Sequence, residues 1–149
     1  MALKIGDLLP NFKAKDSNGN EFDSQNYIGK QALVIYFYPK DDTPGCTTQA
    51  CSFRDNYQDF KDLGAEVMGI SSDSPQSHIK FQSKYNLPFI LLSDQDKKLR
   101  KLFGVENNLL FIPGRETFVA AKNGIIVLIF NSMSAKIHIT KALQILKKK

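Results

Sequence analysis

The stretch ALVIYFYPKDDTPGCTTQACSFRDNYQDFKDLGAEVMGIS, from Ala32 to Ser71, decides the fold. It opens with Ala32 to Tyr38, a near-continuous apolar run rich in strand formers. Such a run suits a strand buried on both faces, as in a sheet covered by helices. Thr43 and Pro44 then fit the N-cap and first helical position of a helix. Ala50, Phe53, Tyr57 and Phe60 recur at helical spacing, and Gly64 marks the stop. Ala65 to Ser71 reads as the next strand. Strand, helix, strand is a βαβ unit, whose crossover is expected to be right-handed.

On the N-terminal side, Ser17-Asn18-Gly19-Asn20 lies between Phe12 and Phe22 and predicts a hairpin or paired extended segments. On the C-terminal side, Ser74-Pro75 opens a second helix through Tyr85, and Pro88 to Ser93 reads as a short strand. Asp94 to Phe103 reads as a third helix, stopped by Gly104. Arg115 to Ala121 and Ile125 to Phe130 flank Lys122-Asn123-Gly124, a hairpin signal. The last helix runs from about Ser134 to Lys147. The order predicts an α/β fold, a mixed central sheet flanked by helices with an N-terminal hairpin. No repeat or linker interrupts it, so residues 1–149 are expected to form a single domain.

The composition, 42% hydrophobic and 23% charged, is that of an ordinary globular chain. The formal net charge of +5 raises a nucleic-acid partner, but the lysines are scattered. The run at Lys147-Lys148-Lys149 reads as a solvated tail. No nucleic acid is therefore expected as a partner. Met1 to Asn11 carries Lys4 and Asp7 and lacks the apolar core of a signal peptide. The longest apolar runs are too short to span a bilayer. A cytoplasmic protein without membrane contact is expected.

Only two cysteines occur, Cys46 and Cys51. Cys46 follows Pro44-Gly45 and falls in the first turn of the expected helix, where backbone N–H groups are unpaired and the dipole is positive. Both effects favour a thiolate, the nucleophilic form. Cys51 sits five residues later. On an intact helix the two Cα atoms would lie roughly 8.7 Å apart, from the rise and radius of the α-helix. A disulfide needs them within about 7 Å. Bond formation is therefore expected to unwind the start of the helix. Three other readings stand beside this one. Both cysteines could be inert core fillers. They could belong to a zinc site, for which only His78 and His138 are additional ligands. They could form an exchange motif, although four residues rather than two separate them.

Tyr36-Phe-Tyr-Pro-Lys-Asp-Asp-Thr-Pro-Gly-Cys46-Thr-Thr-Gln-Ala-Cys51-Ser-Phe-Arg-Asp55 resembles the active-site segment of peroxiredoxins, and most of all the peroxiredoxin Q branch, also called bacterioferritin comigratory protein. The family spaces a Pro, a Thr and the peroxidatic Cys as Pro39, Thr43 and Cys46 stand here, and Cys51 matches the branch's resolving position. Gly69-Ile-Ser-Ser-Asp-Ser74, Tyr85-Asn-Leu-Pro-Phe, Leu91-Leu-Ser-Asp94 and Arg115-Glu-Thr-Phe-Val119 are similar to family segments, so the likeness covers nearly the whole chain.

The resemblance implies a thioredoxin-like fold and reduction of hydrogen peroxide and organic hydroperoxides. It also implies recycling by thioredoxin or a similar dithiol donor, with no metal, haem or flavin. Cys46 would become a sulfenic acid that Cys51 resolves as an intramolecular disulfide. Thr43 would hydrogen-bond the thiolate and the peroxide. Arg115 would hold the thiolate and steady charge as the O–O bond breaks. Pro39 would shield the site. The N–H groups of Gly45 and Cys46 would bind a peroxide oxygen. Gln49, where many relatives have Glu, would orient Arg115. Arg54 is expected to support the helix or the edge of the site, and His78 to pack or cap within its own helix. A second departure is Ala120-Ala121-Lys122-Asn123, where relatives often carry an acidic residue before the turn glycine. The apolar stretch from Asn107 to Pro113 has no assigned role. A monomer or weak dimer is expected. The alternative activity is a thiol–disulfide oxidoreductase or redox relay without peroxidase turnover.

Overall fold

The expected N-terminal hairpin is present. Strands β1 (Lys13–Asp16) and β2 (Glu21–Asp23) pair antiparallel with Ala14 opposite Phe22. The turn between them closes through Asp16, whose Oδ1 accepts from the N–H groups of Asn18 and Asn20, each at 2.9 Å. In this computed structural model of the chain, residues 3–105, 107–108 and 112–148 are described, with no side-chain description at 107–108 and 112–113. Much of the apolar stretch from Asn107 to Pro113, and Lys149 of the terminal run, therefore lie outside the described residues.

The apolar run becomes β3 (Ala32–Phe37), every residue of it buried. It pairs parallel with β4 (Ala65–Ser71), and β4 pairs parallel with β5 (Ile90–Ser93). After the two-residue strands β6 (Asn107–Asn108) and β7 (Ile112–Pro113), which pair with each other, come β8 (Glu116–Ala120) and β9 (Ile126–Asn131). β8 lies antiparallel to both β3 and β9. The main sheet has seven strands in the order β2-β1-β5-β4-β3-β8-β9, a mixed sheet as expected.

Because successive strand residues face opposite sides, β3 supplies two separate cores. Val34 and Tyr36 face Ala50, Phe53, Phe60, Phe81 and Ala142. Leu33, Ile35 and Phe37 face Phe12, Phe22, Leu99, Phe103 and Phe118. Helices thus cover both faces. α1 (Pro44–Asp55), α2 (Tyr57–Asp62), α3 (Pro75–Tyr85) and α5 (Ala135–Lys147) contribute to the first layer, and α4 (Lys98–Phe103) to the second.

The helix expected as one piece between Thr43 and Gly64 is two. It breaks at Asn56, whose backbone leaves the helical region at φ −108°, ψ 10°. The Asn56 side-chain amide donates to Ser52 O at 2.8 Å, the kind of local bond that competes with helix continuation. α4 is also shorter than expected. Lys97 adopts a left-handed backbone at φ 63°, and the carboxylate of Asp94 accepts from the N–H groups of Leu99 and Arg100, each at 2.9 Å. The residues from Asp94 to Lys97 are therefore a capping turn rather than helix.

Candidate active site

The site is built where β3 ends and α1 begins. Pro39, half-buried, opens the connecting loop, and Thr43 occupies the N-cap position with extended backbone. The Thr43 side chain makes no capping bond. Its Oγ1 donates to Lys40 O at 3.0 Å and so closes the loop on itself. The first bond of α1 runs from Thr47 N–H to Thr43 O at 2.8 Å. The N–H groups of Gly45 and Cys46 precede it, so the helix leaves them without an internal partner, in a favourable place for negative charge.

Cys46 is 1% exposed, among the apolar side chains of the first layer, yet its sulfur is not sealed in hydrocarbon. Arg115 Nη2 donates to Sγ at 3.5 Å. β8 runs antiparallel to β3 with Glu116 opposite Phe37, and this register delivers Arg115 beside the strand end that leads to Pro39. Arg115 is itself buried, and its Nη1 donates to Gln49 Oε1 at 2.5 Å. Gln49 stands one turn after Cys46 on α1. A neutral amide thus orients the guanidinium, and the arginine keeps its full charge for the sulfur. Gly45 permits the approach, since a Cβ there would sit 3.0 Å from Arg115 Nη2.

Cys51 is half-buried on the same unbroken helix as Cys46, and both are free thiols. Arg54 supports its helix, donating to Tyr85 O at the end of α3 at 2.7 Å and pairing with Asp55. The structure therefore gathers Cys46, Arg115, Gln49 and Gly45 into one cluster, with Pro39 and Thr43 on the loop above it. It does not bring the Thr43 hydroxyl to the sulfur as its hydrogen-bond donor.

Two buried groups near this cluster are harder to read from sequence. Tyr36 stacks on Phe53 with ring centroids 4.5 Å apart. Burial pushes its phenol well above the usual range, and neighbouring Cys46 adds to this, so the ring stays neutral. His78, instead of capping its own helix, crosses to the loop. Its Nδ1 lies 2.7 Å from Asp41 Oδ2 and its Nε2 3.1 Å from Leu92 O. Asp41 also accepts from Tyr38 Oη at 2.6 Å and Ser77 Oγ at 2.8 Å. Its backbone N–H donates to Asp73 at 2.8 Å. Asp42, left-handed at φ 56°, accepts from Tyr85 Oη at 2.7 Å and Lys84 Nζ at 2.8 Å. The loop before α1 is thus fastened to α3 at two consecutive residues. The aspartates gave no sequence signal beyond ordinary turn chemistry.

Comparisons with known proteins place the chain in a family. Residues 5–129 match the model of the AhpC/TSA family. Chloroplastic peroxiredoxin Q of Sedum lineare is 49% identical over 144 residues, covering 95% of this chain and 77% of that protein. Peroxidoxin BcpB of Mycobacterium tuberculosis superposes with a TM-score of 0.91 at 33% identity, over 98% of this chain and 97% of that one. The bacterioferritin comigratory protein of Xanthomonas campestris, whose structures address alkyl peroxide reduction, superposes with a TM-score of 0.86 at 30% identity, over 95% of this chain and 98% of that one.

Proposed function

The chain belongs to the AhpC/TSA family and is a thiol-dependent peroxidase, and from that premise we propose that Cys46 is its peroxidatic residue and Cys51 its resolving one. The observation that carries this is the 3.5 Å contact from Arg115 Nη2 to Cys46 Sγ at the first turn of α1. The sulfur attacks the distal oxygen of a hydroperoxide and the O–O bond breaks. The leaving alkoxide or hydroxide takes a proton, and Cys46 is left as a sulfenic acid. Arg115 and the N–H groups of Gly45 and Cys46 are the donors for the charge that develops on oxygen. Pro39 limits water at the sulfur, and Thr43 sets the loop through its bond to Lys40.

Resolution follows when Cys51 sulfur attacks Cys46 sulfur, forming the S–S bond and releasing water. On an intact α1 the Cα atoms stand roughly 8.7 Å apart by helix geometry, beyond disulfide reach. We therefore assign to the start of α1 an unwinding step before closure. A dithiol donor, thioredoxin or a protein like it, then returns both thiols. The reaction so written calls on no metal, haem or flavin. Hydrogen peroxide and organic hydroperoxides are the proposed substrates. In this proposal residues 1–149 act as one unit, as a monomer or weak dimer. The setting is a reducing compartment such as the cytoplasm; the plant relative's name places that protein in the chloroplast.

Intact mass of the reduced protein after one equivalent of peroxide tests the assignment. Loss of two hydrogens is expected for the wild type. Cys46→Ser should show no change, and Cys51→Ser should gain one oxygen and stall. Normal thioredoxin-linked turnover by Cys51→Ser would remove Cys51 from its role.

A further inference from the structure

One buried cation has no part in the mechanism above. Arg100, on α4, is 5% exposed and lies on the opposite side of the sheet layer from α1. Its guanidinium reaches the site through backbone. Nη1 donates to Gly114 O at 3.1 Å, and Nη2 donates to Tyr38 O at 3.2 Å. These two carbonyls are not arbitrary. Tyr38 O belongs to the peptide that joins Tyr38 to Pro39, and Gly114 O to the peptide that joins Gly114 to Arg115. One planar fork therefore holds the peptide units immediately before the loop proline and before the arginine that contacts Cys46.

Arg100 is well placed to act as a rigid strut. Its own backbone N–H is held by Asp94 at 2.9 Å, and its carbonyl accepts from Val105 N–H at 2.9 Å. Its guanidinium carbon lies 5.7 Å from the centre of the Phe37 ring, and the flanking Leu99 and Phe103 are buried in the core. A buried guanidinium engaged with two carbonyls is costly unless the geometry repays it, and only arginine offers parallel donors in a fixed plane. We infer that Arg100 is a positioning residue for the peroxide step, setting the separation of the Pro39 and Arg115 arms on either side of Cys46. The inference rests on Cys46 being the peroxidatic residue.

The test compares two reagents at one pH on the reduced protein: hydrogen peroxide, which needs the positioned donors, and iodoacetamide, which needs only an accessible thiolate. Arg100→Lys keeps the charge but supplies no fork. Displacements of about an ångström around reacting atoms cost up to roughly a hundred-fold in rate, so Arg100→Lys is expected to slow the peroxide reaction roughly ten- to hundred-fold while alkylation of Cys46 stays within about two-fold. Should Arg100→Lys not fold, Arg100→Gln, neutral and able to reach one carbonyl, is read in the same way. A folded variant that reacts with peroxide as fast as the wild type overturns the inference. Equal slowing with both reagents also overturns it, since that is loss of thiolate or access rather than of positioning. If the wild-type Cys46 is itself indifferent to peroxide, the assignment of Cys46 falls first and the role of Arg100 with it.

Discussion

At the scale of single residues, the site depends on how closely a guanidinium can approach a helix start. Gly45 has ordinary helical backbone, so its value lies in what it lacks. A methyl there would stand 3.0 Å from Arg115 Nη2 and push the charge off the sulfur. Alanine also stabilises a helical position by about 0.5–1 kcal/mol relative to glycine. Gly45→Ala is therefore expected to leave the melting temperature unchanged or slightly higher, while the peroxide rate falls roughly ten-fold through misplacement of Arg115. Stopped-flow and thermal melts on the same sample check the pair, and parallel loss of both would contradict the reading.

A second residue-scale effect concerns His138. Burial pulls its imidazole down to about 4, so near neutrality the ring is uncharged. Nε2–H then donates to Ser132 O at 2.7 Å, and Nδ1 accepts from Thr117 Oγ1 at 2.8 Å. The folded value lies below the unfolded one of about 6.5, so the unfolded chain binds the extra proton first. Stability is full above pH ~6.5 and is lost as pH falls towards 4, by on the order of 3 kcal/mol. His138→Gln does not titrate. Its stability deficit against the wild type, measured by urea unfolding, should be largest at pH 7.5 and narrow by pH 4.5.

At the scale of elements, the loop between β3 and α1 is governed by α3. Asp41 and His78 are both buried and form the clasp between them. Removing one hydrogen-bonding partner leaves the other buried and unsatisfied, at a cost of about 1–3 kcal/mol. His78→Leu should lower the urea midpoint accordingly and slow the peroxide reaction. An unchanged midpoint would mean that the clasp holds nothing.

The elements themselves were largely legible in the sequence. β3, β4 and the N-cap of α3 follow from apolar runs and from Ser74-Pro75, and Ser74 Oγ does accept from Ser77 N–H. The break at Asn56 was not legible, because the apolar spacing continues across it from Phe53 to Phe60. Arg100 was not legible either. A charged residue on a short helix reads as solvent-facing, and only the third dimension shows it buried beneath two loops. The partnership of Arg115 with Cys46 spans 69 positions. Spacing alone does not reach so far, and the family resemblance supplied it.

At the scale of the whole molecule, one strand serves both cores. β3 interlocks an α1-side layer containing Cys46 with an α4-side layer containing Phe103 and Phe118. Aromatic contacts on the second side, such as Phe103–Phe118 at 5.1 Å, are worth about 0.5–1.5 kcal/mol each beyond their buried area. That side is untouched by unwinding at α1, so the sheet is expected to persist while the helix start opens. Far-UV circular dichroism of the peroxide-oxidised protein should show a helix loss limited to a few turns, with the strand signal retained. Global loss of structure on oxidation would count against separate layers.

Arg54, moored to the end of α3 by its bond to Tyr85 O, and Lys40, on the loop before α1, bracket the segment that must open. Trypsin cleaves after such residues only where the chain can enter its cleft in extended form. Brief digestion should therefore spare the bonds after Lys40 and Arg54 in the reduced protein and cut them in the oxidised one, so that a gel lane reads out the redox history of the enzyme.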